Sequence, residues 1–414
     1  MSEANLFAGQ PVMSQLLSLI PKGLLKELSE KHGADRYCKR FFAQDHVVAM
    51  LYTSFSGCES LREVICGMQV NQYRLLHLGL LNTPCRSTLA DANARRPEAF
   101  FGDLFHRLHR LHMGGLPDSL PKNKRLLDRL FILDSTTISL FTETMHGAGA
   151  YRSNGRKKGG AKAHVLMRAV EDMPCFVHLT EARVNDRAVL EHLPLPEGSI
   201  IVMDKGFNSY AQYDQWDSRH ITYVTRLTES AALRVESERP LSQHQRDLGV
   251  LSDQNVVLAQ HSNTKVKRIK ARVVGFHDAT TGRTFRFLTN DHTHAPATIA
   301  GIYKQRWQIE LLFKRIKQHR PLRYFLGDSP NAIKIQIWCA LIADLLIKVV
   351  KDQAERIAPR RWSFSILAAI VRQHLGTYVH LMSFLKHPEK ALLNYRPPPS
   401  QDHQLRLALF RQGA

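Results

Sequence analysis

Between residues 125 and 230 the hydrophobic pattern changes period, and no other feature of the chain restricts its fold as much. Upstream, PVMSQLLSLIPKGLLKELSEKHG and DHVVAMLYTSFSG place apolar residues at helical spacing, with Gly, Pro or Asn between segments. A polar stretch rich in Gly and Pro, MGGLPDSLPKNKR (113–125), follows and reads as a linker. Then RLFILDSTTISLF (129–141), AKAHVLMRAV (161–170), CFVHLTEARV (175–184), GSIIVMDKGF (198–207) and ITYVTRLT (221–228) alternate or run β-branched. That pattern predicts five strands, with DRAVLEHL and SYAQYDQWDSRH as helices among them. Residues 229–294 are polar loops around the strand-like NVVLAQ, KRIKARVVGF and TFRFLTN, a β-rich insertion, and after residue 330 the pattern is helical again. The expected organisation is a helical domain over 1–125, a mixed α/β core over 126–330 with its insertion at about 229–294, and a helical region over 331–414.

Two of the five predicted strands end on a carboxylate, Asp134 in FILDSTT and Asp204 in IIVMDKGF. A carboxylate on a buried strand costs several kcal/mol unless a cation, hydrogen bonds or water meets it, so its place at a strand end is informative. A turn or cap role is the alternative, since Asp134 precedes Ser-Thr-Thr and Asp204 precedes Lys-Gly. A third acid, Glu310, stands in IYKQRWQIELLFKRIKQHR (302–320), among Lys304, Arg306, Lys314, Arg315, Lys317 and Arg320. On one helix, at roughly 100° per residue, Tyr303, Arg306, Glu310 and Lys317 share an arc of about 60°. Ile302, Ile309, Leu312, Phe313 and Ile316 make the apolar face beside that stripe. The simplest account of Glu310 is helical ion pairing with Arg306 and Lys314, worth about 0.2–0.5 kcal/mol per pair.

Three convergent acids in a basic chain also suit magnesium acting on a phosphate substrate. Magnesium takes one or two carboxylates and completes its shell with water and phosphate oxygens. Two such ions about 3.5–4 Å apart can activate an attacking oxygen and steady a leaving one. On that reading Asp134, Asp204 and Glu310 ligate two Mg2+ ions, with Mn2+ suited to the same oxygens, while Arg306, Lys317 and Tyr303 hold phosphates.

The charge agrees with such a partner: 57 Lys and Arg against 37 Asp and Glu give +20. Anionic membranes and plain solubility also fit that excess. The six cysteines form no CxxC pair and read as thiols in a reducing compartment. MSEANLFAGQ is not a signal peptide, and the apolar run IQIWCALIADLLIKVV is broken by Asp344 and Lys348. A soluble cytoplasmic protein, associated with the nucleoid and not with membrane, is the expectation. Two further basic segments are candidate DNA contacts: YRSNGRKKGGAKAH (151–164), with Arg156, Lys157 and Lys158, and CRSTLADANARRP (85–97). In the second, Ser87 reads as an N-cap and Arg86, Arg95 and Arg96 flank a short helix. Asp186, in TEARVNDRAVL, is either a helix cap or a fourth acid of the site.

The spacing Tyr303-x2-Arg306-x3-Glu310-x6-Lys317 resembles the Y-R-E-K signature of insertion-sequence DDE transposases of the "IS four" family, and LDSTT and VMDKGF resemble its two aspartate motifs. The likeness runs from about 129 to 325, and CRSTLADANARRP is similar to the helical N-terminal region of some members. It implies an RNase H-like catalytic core with a β-rich insertion after its fifth strand and Asp134, Asp204 and Glu310 as catalytic triad. It further implies a cut-and-paste enzyme that binds terminal inverted repeats of double-stranded DNA as a homodimer, frees the 3′-hydroxyls by hydrolysis and joins them to target DNA. Tyr303, Arg306 and Lys317 would contact phosphates at the DNA ends. Hairpin-forming relatives stack a flipped base on a tryptophan of the insertion, whereas Trp216, Trp307, Trp338 and Trp362 all lie outside 229–294. Phe276, Phe285, Phe287 and Trp307 remain as stacking faces or as core residues. A simple RNase H-like nuclease and a non-catalytic DNA-binding repressor derived from a transposase are the rival readings, which metal-dependent cleavage and joining separate.

Overall fold

The structure is a computed structural model and describes residues 9–78, 80, 82–113, 126–139, 160–261, 266–319 and 325–390. Its centre is one mixed sheet of nine strands: β1 (Leu130–Ser139), β2 (Gly160–Arg168), β3 (Pro174–Glu181), β4 (Ile200–Met203), β5 (Thr222–Arg226), β6 (Leu233–Glu238), β7 (Val250–His261), β8 (Val266–Asp278) and β9 (Arg283–Thr289). The spatial order is β3-β2-β1-β4-β5-β9-β8-β7-β6. β1, β4 and β5 run parallel, while β2, β3 and the strands from β6 to β9 pair antiparallel. The five strands expected from the pattern are all present, and the insertion continues their sheet through the β5–β9 pairing. This mixed α/β arrangement fits an RNase H-like core.

Alternation along the strands decides which side chains share a face. Phe131, Leu133, Ile201, Met203 and Tyr223 point to one side, into a core with Trp216, Val256, Val273 and Leu288. Leu130, Ile200, Val202 and Val224 point to the other, where Ile299 and Ile302 of a helix cover them. Asp134, Asp204 and Arg226 keep the parity of that second set, against which the helix's Tyr303 also packs. The parallel register pairs Ile132 with Val202 and Val202 with Val224. One alternation further along lie Asp134, midway along β1 where its parallel pairing with β4 ends, Asp204, just past β4, and Arg226, the last residue of β5.

The helices before the sheet are α1 (Val12–Leu17), α2 (Leu24–His32), α3 (Ala43–Ser56), α4 (Leu61–Val70), α5 (Gln72–Leu75), α6 (Arg86–Arg95) and α7 (Glu98–Met113). The later ones are α8 (Tyr210–Ser218), α9 (Gln243–Asp247), α10 (Pro296–Lys304), α11 (Trp307–His319), α12 (Pro330–Ile357), α13 (Phe364–His374) and α14 (Leu381–Lys386). No helix among the described residues is long and apolar enough to cross a membrane.

Three local expectations change. DRAVLEHL forms a 3-10 helix, Asp186–His192. The segment 302–320 is two helices: Gln305 N–H donates to Ile302 O at 3.1 Å and Arg306 N–H to Tyr303 O at 3.0 Å, an i to i+3 tightening that separates α10 from α11. The helix at 86 starts two residues earlier than an N-cap at Ser87 requires, because Cys85 holds the cap position.

The chain gathers into two compact units that cut across the boundaries expected at 125 and 330. One combines Met1–Lys22, Cys66–Thr83 and Leu346–Ala414. Within it Val12 N–H bonds Thr377 O at 2.9 Å and Gln15 Nε2 bonds Val379 O at 2.7 Å, tying the start of α1 to the chain just after α13. The other combines Gly23–Ile65 and Pro84–Leu345 and contains the sheet.

Candidate active site

Asp134 sits where the parallel pairing of β1 with β4 ends, and Asp204 is the first residue beyond β4. Carboxyl ends of parallel strands are where open α/β sheets place reacting groups. Asp204 precedes a 3-10 turn, Lys205–Phe207, without capping it through its side chain. Its Oδ1 instead accepts from Nη2 of Arg226 at 2.6 Å. Arg306 completes the arrangement: Nη1 donates to Asp134 Oδ2 at 2.9 Å, and Nη2 donates to Glu310 Oε1 one helical turn on. The i, i+4 ion pair that is the simplest account of Glu310 is therefore present, yet the same guanidinium also reaches a strand 172 residues away in sequence. Tyr303, at the end of α10, lies with its ring 6.0 Å from the Arg306 guanidinium carbon and 4.7 Å from the ring of Phe287.

Burial pushes the Asp134 carboxyl up to about 6, against the lowering effects of the Ser135 N–H and Arg306, and the charges of Asp204 and Glu310 push the same way. Asp134 and Arg306 are each only 17% exposed. Burial also opposes ionisation of Asp204, but the hydrogen bond and charge of Arg226 outweigh it and hold that carboxyl below its usual range. Asp134 thus lies within electrostatic reach of the other two acids, and burial makes its charged form costly even with Arg306 in place. Hard oxygen donors whose charge is costly to bury fit a divalent cation. In the present side-chain arrangement arginines occupy the cationic role, and among the described residues no group of three His, Cys, Asp or Glu is gathered around a common point.

A family model described as the transposase DDE domain matches residues 125–346. The chain belongs to the DDE transposase family. A second model, of a domain whose function is unknown, matches residues 8–81. A Sinorhizobium fredii protein named as a transposase is 35% identical over 268 residues, 64% of this chain and 72% of that protein. A Geobacillus stearothermophilus protein named as a transposase for an insertion sequence element is 27% identical, over 61% of this chain and 65% of its own length. A Synechocystis protein with the same kind of name is 26% identical, over 64% of this chain and 71% of its own length. Among solved structures, the piggyBac transposase synaptic complex with hairpin DNA aligns over 94% of this chain and 82% of that one, with 11% identity and a TM-score of 0.45. The chain is therefore an insertion-sequence transposase, an enzyme that acts on DNA.

Within this transposase, Asp134, Asp204, Glu310, Arg306 and Tyr303 come together, and Lys317 is exposed two turns beyond Glu310 on α11. Arg156, Lys157 and Lys158 lie outside the described residues. Arg86 and Arg95 are exposed on α6, with Arg95 paired to Asp91. Arg96 is not a surface cation: it is 5% exposed, its Nε bonds Ala34 O and its Nη2 bonds Phe41 O, both at 2.9 Å. It holds the loop from Ala34 to Phe41 in place and is buried beneath it. Asp186 is neither the cap, which Asn185 provides, nor on the acids' face. It accepts from Ser135 Oγ at 2.9 Å and lies 3.2 Å from Lys162 Nζ, beneath the residue that follows Asp134. Phe287 is buried, and Phe276 and Phe285 pack against the same cluster, whereas Trp307, the first residue of α11, is 59% exposed. Arg226 escapes a reading of local sequence, since only the register of β4 with β5 brings it to Asp204.

Proposed function

We propose that this transposase is of the "IS four" type, with Tyr303, Arg306, Glu310 and Lys317 as its Y-R-E-K residues, and that it moves its element by cutting and pasting. It binds the terminal inverted repeats, hydrolyses the phosphodiester at each end and transfers the freed 3′-hydroxyls to target DNA, working as a homodimer in the cytoplasm at the nucleoid. Asp134, Asp204 and Glu310 are the catalytic carboxylates and the ligands of two Mg2+ or Mn2+ ions. When bound, those ions supply the Lewis acidity that activates the attacking oxygen and stabilises the leaving one. Arg306 and Arg226 neutralise the acids before DNA arrives and are placed to turn their guanidinium groups to phosphate oxygens. Lys317 adds a point charge along α11, and Tyr303 adds a phenol beside Arg306. The helices before residue 126 carry further contacts with the DNA ends, including Arg86 and Arg95, and those after 330 serve dimerisation.

The observation that carries this reading is the bridge from Asp134 through Arg306 to Glu310, with Asp204 close enough to raise Asp134. The test is cleavage and joining of DNA bearing the element's own ends, in magnesium and in manganese, with wild type beside Glu310→Ala. Nicking at the ends and joining by wild type alone is the expected result. Binding of the ends with no cleavage in either metal would replace the reading with a DNA-binding repressor, and cleavage without joining would reduce it to a nuclease.

A further inference from the structure

The loop between α2 and α3 is built to a pattern that the catalytic site does not use. Gly33 ends α2 at φ +59°, and the chain then runs Ala34-Asp35-Arg36-Tyr37-Cys38-Lys39-Arg40-Phe41-Phe42 before α3 begins. Arg96 grips this loop from beneath through Ala34 O and Phe41 O, and its Nη2 stands 3.3 Å from Cys38 Sγ. Asp35 adds two ties, accepting from Ala43 N–H and from Ser29 Oγ, each at 2.5 Å. A loop pinned in this way presents its outer side chains from a fixed platform. Those side chains are Arg36, Tyr37, Lys39 and Arg40, all exposed.

Tyr37 is 83% exposed and adopts φ +62°, a left-handed conformation that is costly for a residue with a side chain. An unfavourable backbone that holds a large aromatic ring in water points to a role for the ring. The Arg36 guanidinium lies 5.0 Å from the centre of that ring. Between the loop and α6 is a groove of about 650 Å³, lined by Arg36, Lys39, Arg40, Thr88 and Arg95. Its acid on α6, Asp91, is already spent on Arg95. The groove is thus cationic with an aromatic at its edge, the combination that suits a phosphate backbone with a sugar or base beside it.

We propose that this groove is a DNA-binding surface separate from the catalytic carboxylates, in which Arg36, Lys39 and Arg40 contact backbone phosphates and Tyr37 packs on an adjoining nucleotide. The inference rests on the reading of the chain as a transposase, and it gives a role to part of the segment 8–81, whose family has no known function.

The test is fluorescence anisotropy of the full chain on labelled duplex carrying the element's ends, in EDTA, over a series of salt concentrations. Arg36→Ser/Lys39→Ser/Arg40→Ser should bind at least tenfold more weakly, with the slope of log K against log salt shallower by about 2 to 3, since each phosphate contact contributes about 0.9. Tyr37→Asn, which tolerates the left-handed conformation without the added backbone freedom of glycine, should lose affinity several-fold at an unchanged slope. A triple variant with wild-type affinity and slope overturns the groove. Because EDTA removes metal chemistry from the measurement, the two proposals fail separately. Wild type that binds through the groove but never cleaves leaves the groove standing and removes the catalytic reading. Wild type that cleaves while the triple variant binds normally does the reverse. Wild type that does not bind DNA overturns both.

Discussion

Mild acid should destabilise this protein through His46, a side chain far from Asp134, Asp204 and Glu310 in sequence. His46 is fully buried, its Nε2 donating to Asn93 Oδ1 at 2.7 Å and its ring 5.2 Å edge-on from Phe101 and 5.9 Å from Phe41. Burial, and then the charge of Arg96, lower its pKa from 6.5 to about 3, opposed by the Asn93 bond. Among the described residues Nδ1 has no acceptor to receive a second proton. The sign follows from the lowered value. Above pH 6.5 the ring is neutral in both states and costs nothing. Below it the unfolded chain takes up a proton that the folded chain refuses, so stability falls with pH until the folded value near 3 is reached. At about pH 5 the loss from this one ring is about 2 kcal/mol. His164, 1% exposed and lowered to about 4, mainly by burial, adds a similar amount. Against a typical total of about 5–15 kcal/mol these are large fractions. Urea denaturation at about pH 7 and pH 5 measures the loss, and His46→Gln, whose amide keeps a donor for Asn93 but does not titrate, should lose about 2 kcal/mol less than wild type. Equal losses in the two proteins would refute the reasoning. His46 also ties α3 to α6, so wild type should lose the groove loop's order before the sheet unfolds, seen as proteolysis near Arg36 at low pH.

Other substitutions test the frame and the site. Arg272 is fully buried, forks onto Asp253 at 2.7 and 2.8 Å and bonds two carbonyls besides. Arg272→Met should cost about 3–5 kcal/mol in urea denaturation by stranding Asp253, and adding Asp253→Leu should recover most of it. Gly249 has φ +96° and an added Cβ would stand 2.4 Å from His277 O, so Gly249→Ala should destabilise by roughly 1–3 kcal/mol, read by thermal melting. Asp186→Asn weakens the support of Ser135, whose N–H donates to Asp134 Oδ1 at 2.8 Å, and should slow cleavage about tenfold, roughly 1.4 kcal/mol, at unchanged DNA affinity in EDTA. Trp307→Ala removes an exposed ring and should change stability by less than about 0.5 kcal/mol while slowing processing of DNA ends in the cleavage assay.

What could be read from the sequence depended on whether its cause was local. The core strands read as β-branched, largely apolar runs because both faces of the sheet are buried, and Asp134 and Asp204 stand out against that background. β6, LRVESE, gives no such signal: it is the outermost strand, with five exposed residues and one partly buried, so nothing selects apolar residues there. The break after Lys304 has no Gly or Pro to announce it, and Gln305 and Arg306 are ordinary helix formers. Arg226 follows from the register of two strands, and Arg96 looks like any surface arginine until a loop 55 to 62 residues away wraps over it. Long-range geometry buries one predicted DNA contact, Arg96, beneath a loop and brings an arginine that local sequence does not single out, Arg226, to Asp204.

The pairing of acids with arginines also explains how such a site can fold before it holds its reactants. Three carboxylates brought together by a sheet and a helix repel one another, and burial raises the cost further. Arg306 serves two of them and Arg226 the third. Burial still pushes the Asp134 carboxyl up to about 6 despite Arg306. A carboxylate whose charge is that costly to bury keeps a reason to accept a further cation. On the proposed reading Asp134, Asp204 and Glu310 would hold the cation, and Arg306 and Arg226 would then pair with phosphate oxygens of the substrate, so the charge that lets the site fold would also hold the DNA.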